Sequence, residues 1–379
     1  MSSRALHTEH LRTPDAADAA FRRRLQQRLL SWFDKSRRPL PWRRNRDPYQ
    51  VWVSEVMLQQ TQAATVVRFF EPFLEAFPTL ADLAAAEEQD VLRRWEGLGY
   101  YRRARNLHRG ARALVAAHGG CFPNDPDALQ GVPGIGRYTL GAVLSRAFDR
   151  RLPIVEANSR RLLCRLFGRR DDPNRGAGRR WLWQTAEAIL PRRRVGDFNE
   201  ALMELGALVC TPAEPACGSC PLARDCSARR LGLQAEIPMR SALPQSIAVQ
   251  EAAVVVRRGQ RVLLLQRPSG GRWAGLWEFP HAEVRLGETL DDAAARLVTE
   301  LTGIRARLCG ELLSLRHTIM HYRVSMVCFE ASYCGGAFKA MFYQQGIWLE
   351  PGRLADYPVS APQRRLARSL IGQRQRGLF

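Results

Sequence analysis

The stretch Cys210-Thr-Pro-Ala-Glu-Pro-Ala-Cys217-Gly-Ser-Cys220-Pro-Leu-Ala-Arg-Asp-Cys226 places four cysteines within seventeen residues. Closely spaced thiolates are the usual ligands of structural zinc and of iron–sulfur clusters, whereas unrelated core cysteines seldom cluster so tightly. The spacing predicts a metal site, but by itself it does not separate iron from zinc. The other five cysteines are scattered and are expected to be small core residues: Cys121, Cys164, Cys309, Cys328 and Cys334.

The composition indicates a polyanion-binding chain of two or three domains. A length of 379 residues is too great for one ordinary core. Lys and Arg number 57 against 37 Asp and Glu, and the formal net charge of +20 favours nucleic acid as the partner. No apolar stretch approaches the roughly 18 to 20 residues of a membrane span, so a membrane role is not expected. An odd number of cysteines without a recognisable secretion signal points to metal ligation in the reducing cytoplasm.

Apolar periodicity divides the chain into a helical part and a mixed part. Phe21, Leu25, Leu29 and Phe33 recur at helical spacing, and similar patterns continue to about residue 229. Residues 231–249 contain two prolines and little periodicity, which predicts an interdomain linker.

Beyond the linker, short apolar runs predict strands. Residues 253–256 and 262–265 flank Gly259 as in a β-hairpin, and 323–330 predicts a further strand. Segments 290–302 and 363–371 have helical spacing, so this part mixes strands and helices.

Several blocks of sequence resemble the endonuclease III and MutY branch of helix-hairpin-helix DNA glycosylases. They are the cysteine spacing with the helix before it at 198–206, together with 40–43, 54–62 and 97–101. The resemblance covers about residues 20–375. It implies a multidomain chain: an all-α glycosylase core at 18–230, a six-helix barrel with the hairpin and a 4Fe-4S cluster loop, then an α+β Nudix-like domain at 250–375.

The resemblance also implies an activity. Such an enzyme hydrolyses the N-glycosidic bond of adenine mispaired with 8-oxoguanine or guanine and leaves an abasic site. The expected partner is double-stranded DNA carrying these mispairs at the bacterial nucleoid, and no sequence feature demands more than a monomer. Within the family the metal is iron–sulfur, which makes Cys210, Cys217, Cys220 and Cys226 the expected cluster ligands.

Residues 132–139 correspond to the family's hairpin. Gly134 and Gly136 let the backbone approach a phosphate and aim N–H groups at it, a grip that is independent of sequence. Tyr138 stands where endonuclease III-like enzymes carry the lysine that forms a Schiff base. Since tyrosine cannot form one, the resemblance favours a monofunctional hydrolase.

Two carboxylates carry the expected chemistry. Adenine is a poor leaving group, so its departure needs a proton on the base and negative charge near the developing sugar cation. By resemblance Glu55 protonates adenine at N7. The second carboxylate departs from the family pattern, because Asp-Gly-Asn appears here as Glu156-Ala157-Asn158. Either Glu156 still stabilises the cation, or the chain is a lesion-binding protein with weakened catalysis, since a shift of about 1 Å can cost about a hundredfold in rate.

The remaining site residues follow from the same resemblance. Trp42, Arg43 and Glu200 are expected in the adenine pocket, with Tyr138 and Asn158 around the reacting bond. The residues expected to wedge the duplex and touch the opposite base are Leu58, Gln60, Thr61, Leu98 and Tyr100. Extrahelical adenine is required because the base cannot be reached in the stack.

The C-terminal part resembles a Nudix domain that has lost its metal site. The box positions are Ala282, Glu288, Arg296, Leu297, Glu300, Leu301 and Gly303, so two acidic positions are leucine. A magnesium-pyrophosphate site needs several convergent oxygen ligands, which argues against a nucleotide pyrophosphatase.

Residues 316–321 align with the family's lesion-sensing loop. His321 is retained as a DNA contact, whereas Ile319 and Met320 replace phenylalanine and serine. Met320 lacks the hydroxyl that distinguishes 8-oxoguanine from guanine, so the degree of selectivity stays open. The alternative for His317 and His321 is that they are ordinary surface histidines.

Overall fold

A computed structural model describes residues 14–239 and 245–376, with side chains described to residue 371. The chain forms two compact units, each made of two chain segments. Unit 1 comprises the described residues of Met1–Gln60 and Ala113–Ala242, and unit 2 those of Thr61–Arg112 and Leu243–Phe379. Segment 61–112 thus groups with the C-terminal part, whereas the predicted bounds 18–230, 231–249 and 250–375 follow chain order and stay predictions.

The described regular elements up to Leu231 are helices, and those after it are seven strands and further helices. The helices are α1 (Ala19–Ser36), α2 (Pro48–Leu58), α3 (Ala63–Ala76), α4 (Leu80–Ala85), α5 (Glu88–Arg94), α6 (Arg102–His118), α7 (Pro126–Leu129), α8 (Arg137–Phe148), α9 (Ala157–Phe167), α10 (Gly176–Ala188), α11 (Val195–Leu208), α12 (Ser227–Leu231), α13 (Leu290–Thr302) and α14 (Ala361–Arg376). The strands are β1 (Ile247–Arg258), β2 (Arg261–Gln266), β3 (Trp277–Glu278), β4 (His281–Glu283), β5 (Arg305–Ile319), β6 (Tyr322–Gly335) and β7 (Gln345–Leu349).

Unit 1 is built around α11. The predicted stripe Phe21, Leu25, Leu29 and Phe33 is buried on α1 and packs with α9 and α11. Helix α8 packs against α2 and α11. The crossing of α11 and α9 is tight, because a Cβ on Gly206 would lie 2.7 Å from Asn158. This close approach brings the start of α9 toward the interior of the unit.

Unit 2 contains a mixed sheet with strand order β3-β2-β1-β6-β5, in which β4 pairs with β1 and β7 with β2. The predicted hairpin is confirmed, since β1 and β2 are antiparallel and Gly259 turns between them at φ +59°. Strand β6 runs parallel to β1. Alternating residues of β1 face α13 on one side and α14 on the other, giving a core on each face.

The predicted linker is more structured than expected. Ile237 is buried beside Cys164 and Ala228, and β1 already begins at Ile247. Residues 240–244 lie outside the described part. No described helix is both long and apolar enough to cross a bilayer.

Candidate active site and cysteine loop

Helix α2 carries Glu55 into the interior of unit 1. Asp47 caps the helix by accepting a hydrogen bond from the backbone of Gln50, and Pro48 occupies the first turn, where no N–H is needed. The helix is buried almost all round, so Glu55 is only 1% exposed. A carboxylate in such a position needs hydrogen-bond and charge partners.

Both oxygens of Glu55 have a partner on α8. The Tyr138 hydroxyl donates to Oε2 at 2.5 Å, and Arg146 Nη1 donates to Oε1 at 2.6 Å. Burial, followed by the negative charge of Glu55, raises the pKa of Tyr138 well above its ordinary value, and the charge of Glu156 contributes as well. Tyr138 therefore stays a protonated donor. The contribution of Glu156 to this pKa shift places its carboxylate within electrostatic reach of Tyr138.

Glu156 is the N-cap of α9. Its carboxylate accepts hydrogen bonds of 2.7 Å from the backbone N–H groups of Asn158 and Ser159. Burial raises the pKa of Glu156 above its usual value, and these two N–H groups only partly offset that rise. Each oxygen of Glu156 thus accepts a backbone hydrogen bond that caps α9, and the residue also lies near Tyr138.

The predicted adenine-pocket residues Arg43 and Glu200 are in direct contact, and Arg146 connects them to the Trp42 backbone. Glu200 Oε1 lies 3.1 Å from Arg43 Nε and 3.3 Å from Arg146 Nη2. Arg146 Nη2 also donates to the Trp42 carbonyl at 3.1 Å. A polar cavity of about 60 Å³ is lined in part by Arg43, Arg146 and Glu200. Arg146 therefore connects Glu200 and the Trp42 carbonyl to Glu55, while Arg43 pairs directly with Glu200.

Three charged residues of this region were not predicted from the sequence: Arg146, Arg161 and Glu204. A signal for Arg146 exists in the sequence, because it is the one charged residue in the mostly apolar segment 138–148 of α8. In the structure it is only 6% exposed. Glu204 accepts from Arg38 and Arg43; burial raises its pKa, but these hydrogen bonds outweigh burial and lower the pKa to about 2.

Arg161 joins the start of α9 to the first cysteine. Its Nη2 donates to Asn158 Oδ1 at 2.8 Å, and its Nε donates to the Cys210 carbonyl at 2.7 Å. Since Asn158 Nδ2 donates to Glu156 Oε2 at 3.1 Å, hydrogen bonds connect Glu156 with the cysteine loop.

The hairpin between α7 and α8 has the backbone expected of an anion grip. Gly134 has φ +85°, a conformation that favours glycine. Gly136 caps α8 without a side-chain hydrogen bond, and space for a Cβ at Gly136 is open. The first N–H groups of α8 therefore have no side-chain cap, and a helix N-terminus of this kind suits a phosphate.

The predicted wedge residues differ in exposure. In unit 1, Gln60 is exposed with φ +56° and Leu58 is half-buried. In unit 2, Tyr100 is 51% exposed with φ +48°, and the Thr61 hydroxyl accepts from Arg103. Leu98, by contrast, is 5% exposed, so it offers DNA little surface in this conformation.

The four clustered cysteines line one cavity. Their neighbours in its wall are largely apolar, and include Leu162, Leu166, Val209 and Leu222. Arg165, which is 2% exposed, approaches Cys210 Sγ to 3.4 Å and also holds the carbonyls of Thr211 and Pro212. Within residues 14–239 and 245–371, no three potential ligand side chains are arranged to hold a single metal ion.

The expectation for the scattered cysteines was wrong in three cases. Cys164 and Cys328 are buried, but Cys121, Cys309 and Cys334 are exposed. Cys309 lies at an irregularity of the edge strand β5, and Cys121 follows the end of α6 in a segment without regular structure. Spacing along the chain gave no sign of either position.

In unit 2, the acidic residues of the Nudix box are already paired. Arg296 binds Glu288 at 2.6 Å and Glu300 at 2.9 Å. The hydrogen bond from Arg296 is the main reason that the pKa of Glu288 is lowered to about 2. Both carboxylates are therefore held by one arginine. The expectation that the box does not hydrolyse nucleotides rests on its two leucines and stays a prediction.

The segment predicted to sense the lesion lies at the turn between β5 and β6. Ile319 pairs with Tyr322 across the turn, and Met320, with φ +55°, is 76% exposed. The His321 ring lies 4.1 Å from that of Tyr322. This turn presents a methionine thioether where the resemblance leads one to expect a hydroxyl.

Comparisons with known proteins agree with this architecture. Residues 53–187 match the HhH-GPD superfamily of base excision DNA repair proteins, and residues 252–369 match the NUDIX domain. Adenine DNA glycosylase of Homo sapiens is 34% identical over 91% of this chain and 73% of its own length. That of Buchnera aphidicola subsp. Acyrthosiphon pisum (strain APS) is 30% identical over 83% of this chain and 88% of its own. A thermostable thymine-DNA glycosylase structure aligns with TM-score 0.52 and 30% identity over 56% of this chain and all of its own. With its helix-hairpin-helix core and Nudix-like sheet, the chain belongs to the adenine DNA glycosylase family.

Proposed function

We propose that this DNA glycosylase removes adenine from mispairs with 8-oxoguanine or guanine and leaves an abasic site. The observation that carries the proposal is the buried Glu55 carboxylate, held at both oxygens beside Trp42 and Glu200. A proton-transfer group must be held within hydrogen-bond reach of its target. The contacts of Tyr138 and Arg146 hold the Glu55 carboxyl group in one position, which supports the proposal. Single-turnover excision from an 8-oxoguanine:adenine duplex tests the proposal.

In the proposed mechanism, an extrahelical adenine enters the pocket of Trp42, Arg43 and Glu200. Glu55, in its protonated form, delivers a proton to N7, and the resulting carboxylate then takes a proton from the water that attacks the sugar. Glu156 stabilises the sugar as positive charge develops on it, directly or through a covalent sugar intermediate. Tyr138 and Asn158 hold these two carboxylates through the hydrogen bonds described above.

We infer that the reaction is monofunctional. A lyase step requires an amine that attacks the sugar, and Tyr138 occupies the position of that amine. The sequence contains only two lysines, Lys35 and Lys339. Lys35 is exposed in the last turn of α1, and Lys339 packs against Gly303 in unit 2. Borohydride treatment during turnover should therefore trap no covalent complex with DNA.

We propose that Cys210, Cys217, Cys220 and Cys226 hold a 4Fe-4S cluster. A zinc ion needs four sulfurs at about 2.3 Å around one centre, whereas a cubane takes one thiolate on each iron and spaces them further apart. The four cysteines line one largely apolar cavity, which supports a site shared by all four, and the resemblance of their spacing to the family's cluster loop favours the cluster over zinc. When bound, the cluster organises the loop and takes no part in excision.

A second candidate function, lesion binding with weakened catalysis, is favoured by one observation. Both oxygens of Glu156 accept backbone N–H groups, as expected of a helix cap. If this were the only role of Glu156, the protein would bind the lesion duplex without releasing adenine. The single-turnover assay separates the two functions.

Recognition of the opposite base is proposed for His321 of unit 2, with Tyr100 as the residue that replaces lost stacking. Tyr100 suits this role because its ring is exposed and flat. Gly134 and Gly136 are proposed to grip the phosphate backbone. We also propose that the protein acts at the nucleoid in the cytoplasm, because its proposed substrate is duplex DNA. The proposed acting form is a monomer.

A further inference from the structure

Arg146 lies between the two parts of the proposed site. Its side chain is only 5% exposed, and it projects from α8. Nη1 donates to Glu55 at 2.6 Å, while Nη2 donates to the Trp42 carbonyl at 3.1 Å and lies 3.3 Å from Glu200. One guanidinium therefore touches three groups from three different segments of the chain.

The chemistry of a guanidinium makes this contact a geometric constraint. Its donors lie in a rigid plane, so the positions of two bound carboxylates become fixed relative to each other. Glu55 comes from α2 and Glu200 from α11. Among the described contacts, the ionic connection between these two carboxylates runs through Arg146.

Arg146 is the cation that pairs with the buried Glu55, but the charge of Glu200 does not require it. Arg43 already pairs with Glu200 at 3.1 Å, so Glu200 would keep a cation without Arg146. What Arg146 adds is the link from Glu200 to Glu55 and to the Trp42 backbone.

We propose that Arg146 is a positioning residue for adenine excision, which sets Glu55 relative to Glu200 and Trp42. The inference rests on the proposed roles of these groups: Glu55 as proton donor, and Glu200 and Trp42 as contacts of the base. Because the base is held by Glu200 and Trp42 and protonated by Glu55, the distance between these groups must be fixed. A displacement of about 1 Å can cost about a hundredfold in rate. Arg146 acts through the other residues and does not itself react.

The test compares Arg146→Met and Arg146→Lys with the native chain. Methionine keeps much of the apolar stem and removes the fork, whereas lysine keeps the charge but not the planar pair of donors. Arg151→Met is the matched control, because Arg151 is exposed, bonds only to backbone carbonyls of Glu187 and Leu190, and carries the same charge. Each variant is assayed for thermal unfolding, affinity for the 8-oxoguanine:adenine duplex and single-turnover excision with enzyme in excess.

The proposal predicts that Arg146→Met excises adenine about a hundredfold more slowly than Arg151→Met, with duplex affinity within about threefold. Arg146→Lys should recover part of the rate. A double variant with Glu200→Gln should be little slower than the slower single variant, because the two residues act as one unit. A folded Arg146→Met with the control's rate overturns the inference.

Two further outcomes keep the inference testable. If Arg146→Met does not fold, Arg146→Lys decides, and a native rate in that variant overturns the inference. If the native chain itself releases no adenine from the lesion duplex, the proposed function fails instead. The two failures are therefore distinguishable in the same set of measurements.

Discussion

The phenolic hydroxyl of Tyr138 donates a 2.5 Å hydrogen bond to Oε2 of Glu55. Tyr138 follows the glycine hairpin, so the segment proposed to grip the phosphate backbone also contacts the proposed proton donor. Burial and the charge of Glu55 keep the pKa of Tyr138 well above its ordinary value. The hydroxyl thus remains a hydrogen-bond donor throughout the neutral pH range, and it orients the carboxylate without competing for its role.

Glu156 should be replaceable by aspartate but not by glutamine. Both acids can cap α9 and supply negative charge near the sugar, so Glu156→Asp is expected to retain excision within about tenfold. Glu156→Gln keeps the size of the side chain and removes the charge, and should slow single-turnover excision about a hundredfold. Similar rates for the glutamine variant and the native chain would show that Glu156 serves only as a cap.

Loss of one cysteine ligand should lower both the iron content of the protein and the thermal stability of unit 1. Cys217→Ser is expected to lower bound iron well below about four per chain and to reduce the thermal stability of unit 1 and its DNA affinity. Cys121→Ser is the control, since Cys121 is exposed in the same unit. Iron analysis and thermal unfolding check the prediction. A native chain that purifies with one zinc ion and no iron contradicts it.

The stability of unit 2 should fall in mildly alkaline solution. His281 lies 3.2 Å from Glu251 and 3.3 Å from Glu278; burial lowers its pKa, but the two carboxylates outweigh burial and raise the pKa to about 10. Because the folded pKa exceeds the ordinary 6.5, this contribution is complete below about pH 6.5 and is lost as pH rises toward 10. Thermal unfolding between pH 6 and 10 measures the loss. His281→Gln should flatten the pH dependence, and an unchanged slope in that variant would refute the assignment.

Met320→Ser should sharpen selectivity for the lesion. Met320 is exposed at the β5–β6 turn, where a hydroxyl could contact 8-oxoguanine. One added hydrogen bond is worth about 1 kcal/mol, so the preference for 8-oxoguanine:adenine over guanine:adenine should rise about fivefold. Met320→Ala serves as the control for removing the thioether. Equal preferences in the serine and alanine variants argue against a role for this turn.

Much of the fold was predictable from local pattern. The stripe of α1, the helix at 290–302 and the hairpin around Gly259 were predicted from periodicity and are confirmed. These elements were predictable because burial imposes a period of 3.6 or 2 on the chain. The grouping of segment 61–112 with the C-terminal part was not, since it depends on contacts between distant parts of the chain.

Several residues of the site were predictable from the sequence, but the hydrogen bonds and ion pairs between them were not. Resemblance led to Glu55, Tyr138 and Glu200, and the structure brings these side chains together. Arg146 was missed because a single arginine in a helix is usually solvated, and its partners lie about 55 and 90 positions away in the sequence. The exposed Cys309 was misjudged because a bulge in an edge strand leaves no mark in the spacing of cysteines.

The central claim is that this chain cleaves adenine from DNA with Glu55 as the proton donor. The most direct measurement is single-turnover release of adenine from an 8-oxoguanine:adenine duplex by the native chain and by Glu55→Gln, with duplex affinity measured in parallel. We expect release by the native chain, a loss of at least about a hundredfold in the variant, and nearly equal affinities. Tight binding of the duplex by a native chain that releases no adenine, or undiminished release by Glu55→Gln, would contradict the account.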